Sequence, residues 1–580
     1  MPLIAKLARR AAVLAATAAL LAAPLSAGAA VSIGDAARAP AAGTSQLVVV
    51  VPVIVPADAP TLLDASLLEE YTAPDGLLTA RLDAVEGTGA TLAIDPRILA
   101  SIRLLGSGVP DTAAEWLQRL ESLPNDSFVL RFADVDVSGF AEVDALEVAE
   151  PLSFQFAVDT SRFDAVPEPS ESGTAEPDGS TEAAPTPSTT PEPTATDEPE
   201  PAFPPTDEEL TAWPTGIDGI EWPARGNLSP AGLTALGAAG SSAVLLDSAS
   251  LGGSAASHLS ISGTSVLASS SDLDDLLEAV EVGAFSAGSA TSREAFLTVL
   301  DDELAASVGP LIVTASRDAN SGTERLASLL RELTARSDLQ LVGISVALQV
   351  APSTGALTTG ALDDELRAAL DELLGAEAAV SRFAGIVADP EGFRADHRLD
   401  LLRSLTAGAL EDRSGTTEAI AAATESAEQI LDAVHIVEGS DLLVLSNSTG
   451  LPVTVSNALD VSVTVTVSGR PLRPLLRLTG GPVEVTIEPG SSHTVYLPAD
   501  AVTNGEVTVL VSLRSTTGLP IGGDETLRVD LQAQWETVGT IVLIGLAVVF
   551  GSGIVHNILR RRRVAHAAET PSADTPPSDD

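Results

Sequence analysis

The residues in this chain best placed to do chemistry are acidic groups that end short apolar runs. Asp95 follows the run 91–94, Asp134 and Asp136 follow 128–132, Asp247 follows 243–246, and Arg317 with Asp318 follows 311–314. If each run is a parallel strand, these groups gather at the carboxyl ends of the strands, where α/β barrels carry their active sites. Carboxylates converging there suit the acid and base of glycoside hydrolysis. The same residues also suit a structural task. Aspartate is among the best helix N-caps, and Asp95-Pro96 reads as a cap followed by proline at the first helical position. Asp95, Asp134, Asp136 and Asp247 are therefore candidates for catalysis and for capping at once.

Other chemistries are poorly supplied. Asp134-Val135-Asp136-Val137-Ser138-Gly139 begins like a calcium loop, but its twelfth position is Ala145 where a bidentate glutamate is required, so an acidic loop is the better reading. His258, His397, His435 and His493 lack the paired spacing of zinc sites. No metal and no cofactor are expected. Lys6 is the only lysine and lies in the export signal, which removes phosphate-loop, Schiff-base and Ser-Lys chemistry from the mature chain. No Gly-x-Ser-x-Gly elbow occurs, and Leu451-Pro452-Val453-Thr454 reads as a strand. There is no cysteine, so there are no disulfides and no lipid attachment at a cysteine.

The elements that would position the candidates alternate. Strand-like runs at 47–55, 91–94, 128–132, 243–246, 311–314 and 339–350 are separated by helix-like stretches at 112–123, 272–280, 293–307 and 323–334. Such alternation predicts an irregular α/β barrel of parallel strands, with an open doubly wound sheet as the alternative. The barrel is expected to span 46–163 and 210–435, the second part including bridging helices near 398–409 and 417–434. Between the parts, 166–209 is acidic and rich in Pro, Ser and Thr, and is expected to be a disordered insertion. The run 152–156 before it, and Trp213 and Trp222 after it, read as core pieces of one interrupted domain. From 441 to 535, short alternating runs between Gly480-Gly481, Pro489-Gly490, Asn504-Gly505 and Gly522-Gly523 predict an antiparallel β-sandwich of the immunoglobulin-like kind.

Location is written at the two ends. Lys6, Arg9 and Arg10, an apolar run over 11–23 and Ala27-Gly28-Ala29 read as a secretory signal peptide over 1–29. The apolar stretch 538–558 is long enough to span a bilayer, and Arg560, Arg561, Arg562 and Arg563 after it place the tail 559–580 in the cytoplasm. The expected location is the cytoplasmic membrane, single-pass, with the ectodomain outside. Ala547 and Gly551 form a small-x-x-x-small pair that would let a partner helix approach. The formal net charge is −49; taking away the +3 of the signal leaves about −52 outside, the tail being neutral. So acidic a surface disfavours nucleic acid and anionic lipid as partners.

The order Ile94-Asp95-Pro96-Arg97-Ile98-Leu99, Trp116-Leu117-Gln118-Arg119-Leu120, Phe132-Ala133-Asp134-Val135-Asp136, Leu451 to Asn457, Gly490-Ser491-Ser492, Asn504-Gly505 and Trp535-Glu536 before the span resembles an actinobacterial family. That family comprises exported, single-pass membrane-anchored proteins of unknown function (domain of unknown function 6049). Its members are typically encoded beside the lipid II flippase. The resemblance implies a binding or scaffold role in peptidoglycan precursor export or cell-wall assembly, with a membrane protein of the export machinery or cell-wall glycan as partner. It supplies no catalytic residues, and the acidic insertion departs from it. The alternative is a glycan-active hydrolase using the rim carboxylates.

The arginine cluster sets the topology. A reporter fused after Asp580 is expected to be cytoplasmic and one inserted near Ser180 external. Protease added to intact spheroplasts should cut within 166–209, and protection of that segment would reverse the orientation.

Overall fold

The computed structural model describes residues 44–163, 204–252, 256–283, 291–360, 362, 364–408, 410, 413–437, 442–444, 448–531 and 535–566. Residues 1–43, where the export signal is expected, 166–203 of the acidic insertion and the last fourteen residues, 567–580, lie outside them.

Among the described residues, ten strands form one sheet: β1 (Ser45–Val53), β2 (Thr91–Ile94), β3 (Ser127–Val129), β4 (Ile220–Glu221), β5 (Ala243–Asp247), β6 (His258–Ile261), β7 (Thr264–Ser269), β8 (Leu311–Thr314), β9 (Leu339–Leu341) and β10 (Ser353–Thr354). β1 is central and rich in valine, as suits a strand buried on both faces. It runs parallel to β2 along Val50–Val53, to β8 along Leu47–Val50 and to β9 at its start. The path β3-β2-β1-β8-β7-β5-β4 curls into a parallel-strand half-barrel. Val48, Val50, Phe128, Leu245, Leu267 and Ile312 fill its inside. Leu47, Val49 and Val51 face the outer helices, against Leu82, Leu277, Phe296 and Leu330.

Four findings refine the expectations. The run 339–350 is a strand only to Leu341; Ile344–Leu348 is helical because Thr91 Oγ1 accepts the Ile344 N–H and Asp126 Oδ2 the Ser345 N–H, capping a new helix. Leu152 is exposed, while Phe154 and Trp213 are buried. Residues 204–209, expected to belong to the disordered segment, are placed: Thr206 and Glu209 form a capping box that starts the helix Asp207–Thr211. The β6–β7 hairpin was not anticipated. Its two-residue loop, Ser262-Gly263, has both φ angles positive, the geometry a tight hairpin demands.

Beyond the half-barrel, two sheets share one core. β11 (Val434–Ile436), β12 (Leu442–Val444), β13 (Ser448–Asn457), β14 (Val463–Pro471), β15 (Leu476–Leu478), β16 (Val483–Ile487), β17 (Ser491–Ala501), β18 (Gly505–Arg514) and β19 (Pro520–Leu531) are arranged as β11-β13-β17-β15 and β12-β19-β18-β14-β16. Pairing is antiparallel apart from β12 with β19. Val453, Val455 and Leu497 of one sheet and Val465, Val467 and Val509 of the other belong to this core. Phe383, Ile386 and Val387 join it, and Val387 bridges to Val463. The chain then enters the helix Trp535–His566. Its segment Gly539–Arg562 is 24 residues long and apolar enough to cross a bilayer, and it is unburied. Ala547 and Gly551 lie one turn apart on this helix, and Arg560 to Arg562 continue it.

The seam between β7 and β8 is the thin point of the half-barrel, since only Ser269 pairs with Ile312. Asp274, fully buried on the helix Ser271–Val282, staples it by accepting from the Thr314 N–H at 2.6 Å and the Ser269 hydroxyl at 2.7 Å. Burial pushes its pKa up to about 6 despite Arg225 nearby, so a neutral group is tolerated there. Asp274→Leu should cost about 2–4 kcal/mol by leaving the Thr314 N–H unpaired. Asp274→Asn should cost less than half as much. Urea denaturation of both variants checks this, and equal losses would show that the staple is not what matters.

Candidate functional site

The carboxyl ends of the strands carry the candidates, and each is held differently. Asp95 follows β2 and is completely buried. Its Oδ1 accepts from the N–H groups of Arg97 and Ala133, both at 2.9 Å, and its Oδ2 meets Arg97 Nε at 3.3 Å. It is the cap of the helix Pro96–Leu104, and burial raises its pKa against the pull of Arg97. Asp136 Oδ1 accepts from the Ser138 N–H and hydroxyl and from the Ala224 N–H at 3.0 Å. Asp247 ends β5 and caps the short turn Ser248–Leu251 through the Ser250 N–H and hydroxyl. These three carboxylates are spent on hydrogen bonds that fix loops.

Asp134 is different. Among the described residues its carboxylate accepts no hydrogen bond, and it meets Arg317 Nε at 3.6 Å. It lies on a turn where Ala133 and Asp134 are both left-handed, at φ 57° and 53°, a conformation costing about 1–2 kcal/mol per non-glycine residue. The turn is over-determined. Asp95 holds the Ala133 N–H, the Asp134 N–H donates to the Arg131 carbonyl, and the Asp134 carbonyl accepts from the Ala407 N–H at 2.7 Å. Burial pushes the Asp134 carboxyl up to about 7, the charges of Asp95 and Asp136 add to the rise, and Arg317 and Arg97 oppose it.

Arg317 is fixed by the loop after β8. Two buried carboxylates of the helix Ser271–Val282 pin that loop: Asp274 takes the Thr314 N–H and Glu281 the Ser316 N–H at 2.9 Å. The guanidinium then sits 3.9 Å from the Trp222 ring centroid and donates to the Trp222 carbonyl. Across β3 and β4, which do not pair as strands, Arg131 grips Glu221 through two nitrogens and the Ile217 N–H donates to Ser127.

These groups surround a cavity of about 300 Å³ lined by Asp58, Asp95, Arg97, Asp134, Arg317 and Asn320, with the segment Thr406 to Gly408 as one wall. Gly408 has to be glycine, because a Cβ would come within 2.9 Å of the Arg317 carbonyl. Asp95, Asp134 and Asp136 are thus brought together, while Asp247 is not part of the cavity wall. Arg97, Trp222 and the 406–408 wall were missed as contributors. Arg97 alone carried a signal, a charge in an otherwise apolar helix start. A neutral Asp134 carboxyl near pH 7 can donate a proton or a hydrogen bond, and the two arginines can hold an anion.

Among solved structures, this chain is similar to native alpha-2-macroglobulin of Escherichia coli at 19% identity and TM-score 0.14, over 17% of this chain and 6% of that chain. It is similar to the alpha-amylase AmyC of Thermotoga maritima at 9% identity and TM-score 0.34, over 67% of this chain and 94% of that one. Its likeness to the 4-alpha-glucanotransferase of Thermococcus litoralis has 10% identity and TM-score 0.37, over 80% and 84%. All three scores are low, and none of these likenesses bears on what the chain does. No curated protein matches. Residues 30–578 match the family of unknown function DUF6049, and with nearly the whole chain covered, the protein belongs to that family.

Proposed function

We propose that this protein is an exported, single-pass component of an actinobacterial cell envelope, acting as a binding or scaffold partner in peptidoglycan precursor export or cell-wall assembly. The observation that carries the binding reading is the use of the rim carboxylates. Asp95, Asp136 and Asp247 each hold backbone N–H groups, so none of the other candidate rim carboxylates is free to pair with Asp134, and the remaining carboxylates of the cavity, Asp58 and Asp318, lie exposed at its mouth. The apolar helix supports anchoring, with the arginines on the cytoplasmic side and the ectodomain outside. The Ala547 and Gly551 face suits a membrane-protein partner of the export machinery. The two sheets before the helix fit an immunoglobulin-like sandwich, a common binding module.

One observation favours a second reading, a glycan-active hydrolase. Asp134, raised to about 7 in a cleft, has the ionisation a general acid needs.

Depletion of the protein is expected to raise the level of lipid-linked wall precursor, and an unchanged level would contradict the envelope role. The double variant Asp134→Asn with Asp136→Asn separates the two readings. Asparagine tolerates the left-handed turn and keeps an accepting oxygen for Ser138 and Ala224, so a binding protein should rescue depletion to near the wild-type level. A hydrolase would lose about 100-fold or more in rate. Failure of the stably expressed variant to rescue would therefore favour the enzyme.

A further inference from the structure

Arg97 is 1% exposed, yet its guanidinium is poorly satisfied. Of its five N–H donors, Nε reaches Asp95 Oδ2 only at 3.3 Å and Nη2 reaches the Val55 carbonyl only at 3.4 Å. Nη1 has no hydrogen-bond partner among the described residues. A buried charged donor left in this state is costly unless something else accepts from it. Arg97 lines the 300 Å³ cavity, with Arg317 on another wall. We propose that this cavity binds the carboxylate of a small molecule, with the Arg97 guanidinium as principal donor and Arg317 as the second positive group.

The alternatives fit less well. A cation would meet the two guanidinium groups beside an Asp95 that already accepts three N–H groups, and would have only Asp134 and the exposed Asp58 and Asp318 as counter-charges. A neutral sugar would leave the Arg97 charge without a counter-charge beyond Asp95. A carboxylate matches the planar N–H fork of arginine, and the volume admits one monosaccharide-sized or dipeptide-sized molecule. Resting on the envelope reading above, this narrows the ligand to a wall-precursor fragment with a free carboxylate, either an acidic amino sugar or the C-terminus of a stem peptide. Among the described residues, the charges facing the bound group are Arg97, Arg317, Asp95 and Asp134 on the walls, Asp58 and Asp318 at the exposed mouth, and Asp136 behind Asp134. Of these, Asp134 is raised to about 7. It is neutral below that pH and repels the ligand above it.

The test is titration calorimetry on the full chain in detergent, with N-acetylmuramic acid, D-alanyl-D-alanine and neutral N-acetylglucosamine as probes, at pH 6 and pH 8. At least one carboxylate probe should bind saturably, about tenfold more tightly at pH 6 than at pH 8, as the neutral fraction of Asp134 dictates. Whichever of the two binds identifies the source. Asp134→Asn should bind at pH 8 as the wild type does at pH 6, a gain that loss of folding cannot mimic. Arg97→Gln removes the counter-charge of Asp95 and should lower the melting temperature; assayed below that temperature, where it is still folded, it should weaken binding at least tenfold. Equal binding of the neutral sugar would overturn the carboxylate assignment while leaving the envelope role standing. No binding of any probe by the folded wild type would overturn it too, and the precursor level on depletion would still decide the envelope role separately.

Discussion

The Asp95 carboxylate receives N–H groups from two different loops, and the cavity exists because of it. Through the Arg97 N–H it starts the helix after β2, and through the Ala133 N–H it holds the left-handed turn after β3. That turn presents Asp134 to the cavity and sends its carbonyl to Ala407, so the far wall depends on the same carboxylate. Its burial is complete, which makes the charge expensive, and Arg97 is the group that offsets it. Arg97 in turn is only partly satisfied by Asp95. The strain passes from a cap, to a turn, to an arginine with donors to spare, and this chain of dependence separates the rim from a row of ordinary helix caps.

Burial raises several carboxyls of the half-barrel in the same direction. Asp134 and Glu281 are pushed to about 7 and Asp274 to about 6. A folded value above the unfolded one means that the neutral form is preferred in the native state. The stability each neutral group contributes is present below its unfolded value and is lost as pH rises through the folded one, between about pH 4 and 7. The formal net charge of −49 on the chain adds self-repulsion to that loss as pH rises toward neutrality.

Much of the frame was legible in the sequence. The runs 91–94 and 311–314 are strands at the bounds expected, because a short apolar run followed by a cap has few other ways to fold. The helices Asp111–Ser122 and Ser292–Ala306 agree to within a residue, and Asp95-Pro96 is a cap with proline at the first position. The long run 339–350 misled because its interruption depends on Thr91 and Asp126, distant side chains that cap a helix inside it. The site was half legible. Asp134 stood out by type and place, but nothing local distinguishes it from Asp136, whose carboxylate is consumed by Ala224 nearly ninety residues away. The wall at 406–408 and the Trp222 ring under Arg317 are tertiary neighbours with no sequence pattern of their own.

At the rim, the buried Asp134 carboxyl is near neutrality among buried carboxylates committed to structure. Carbon-13 NMR of aspartate carboxyl groups in the full chain, with Asp134→Asn as the assignment control, measures it directly. The Asp134 resonance should titrate near pH 7, and a bound carboxylate should move this midpoint upward. A midpoint near 4, unaffected by carboxylate probes, would contradict it.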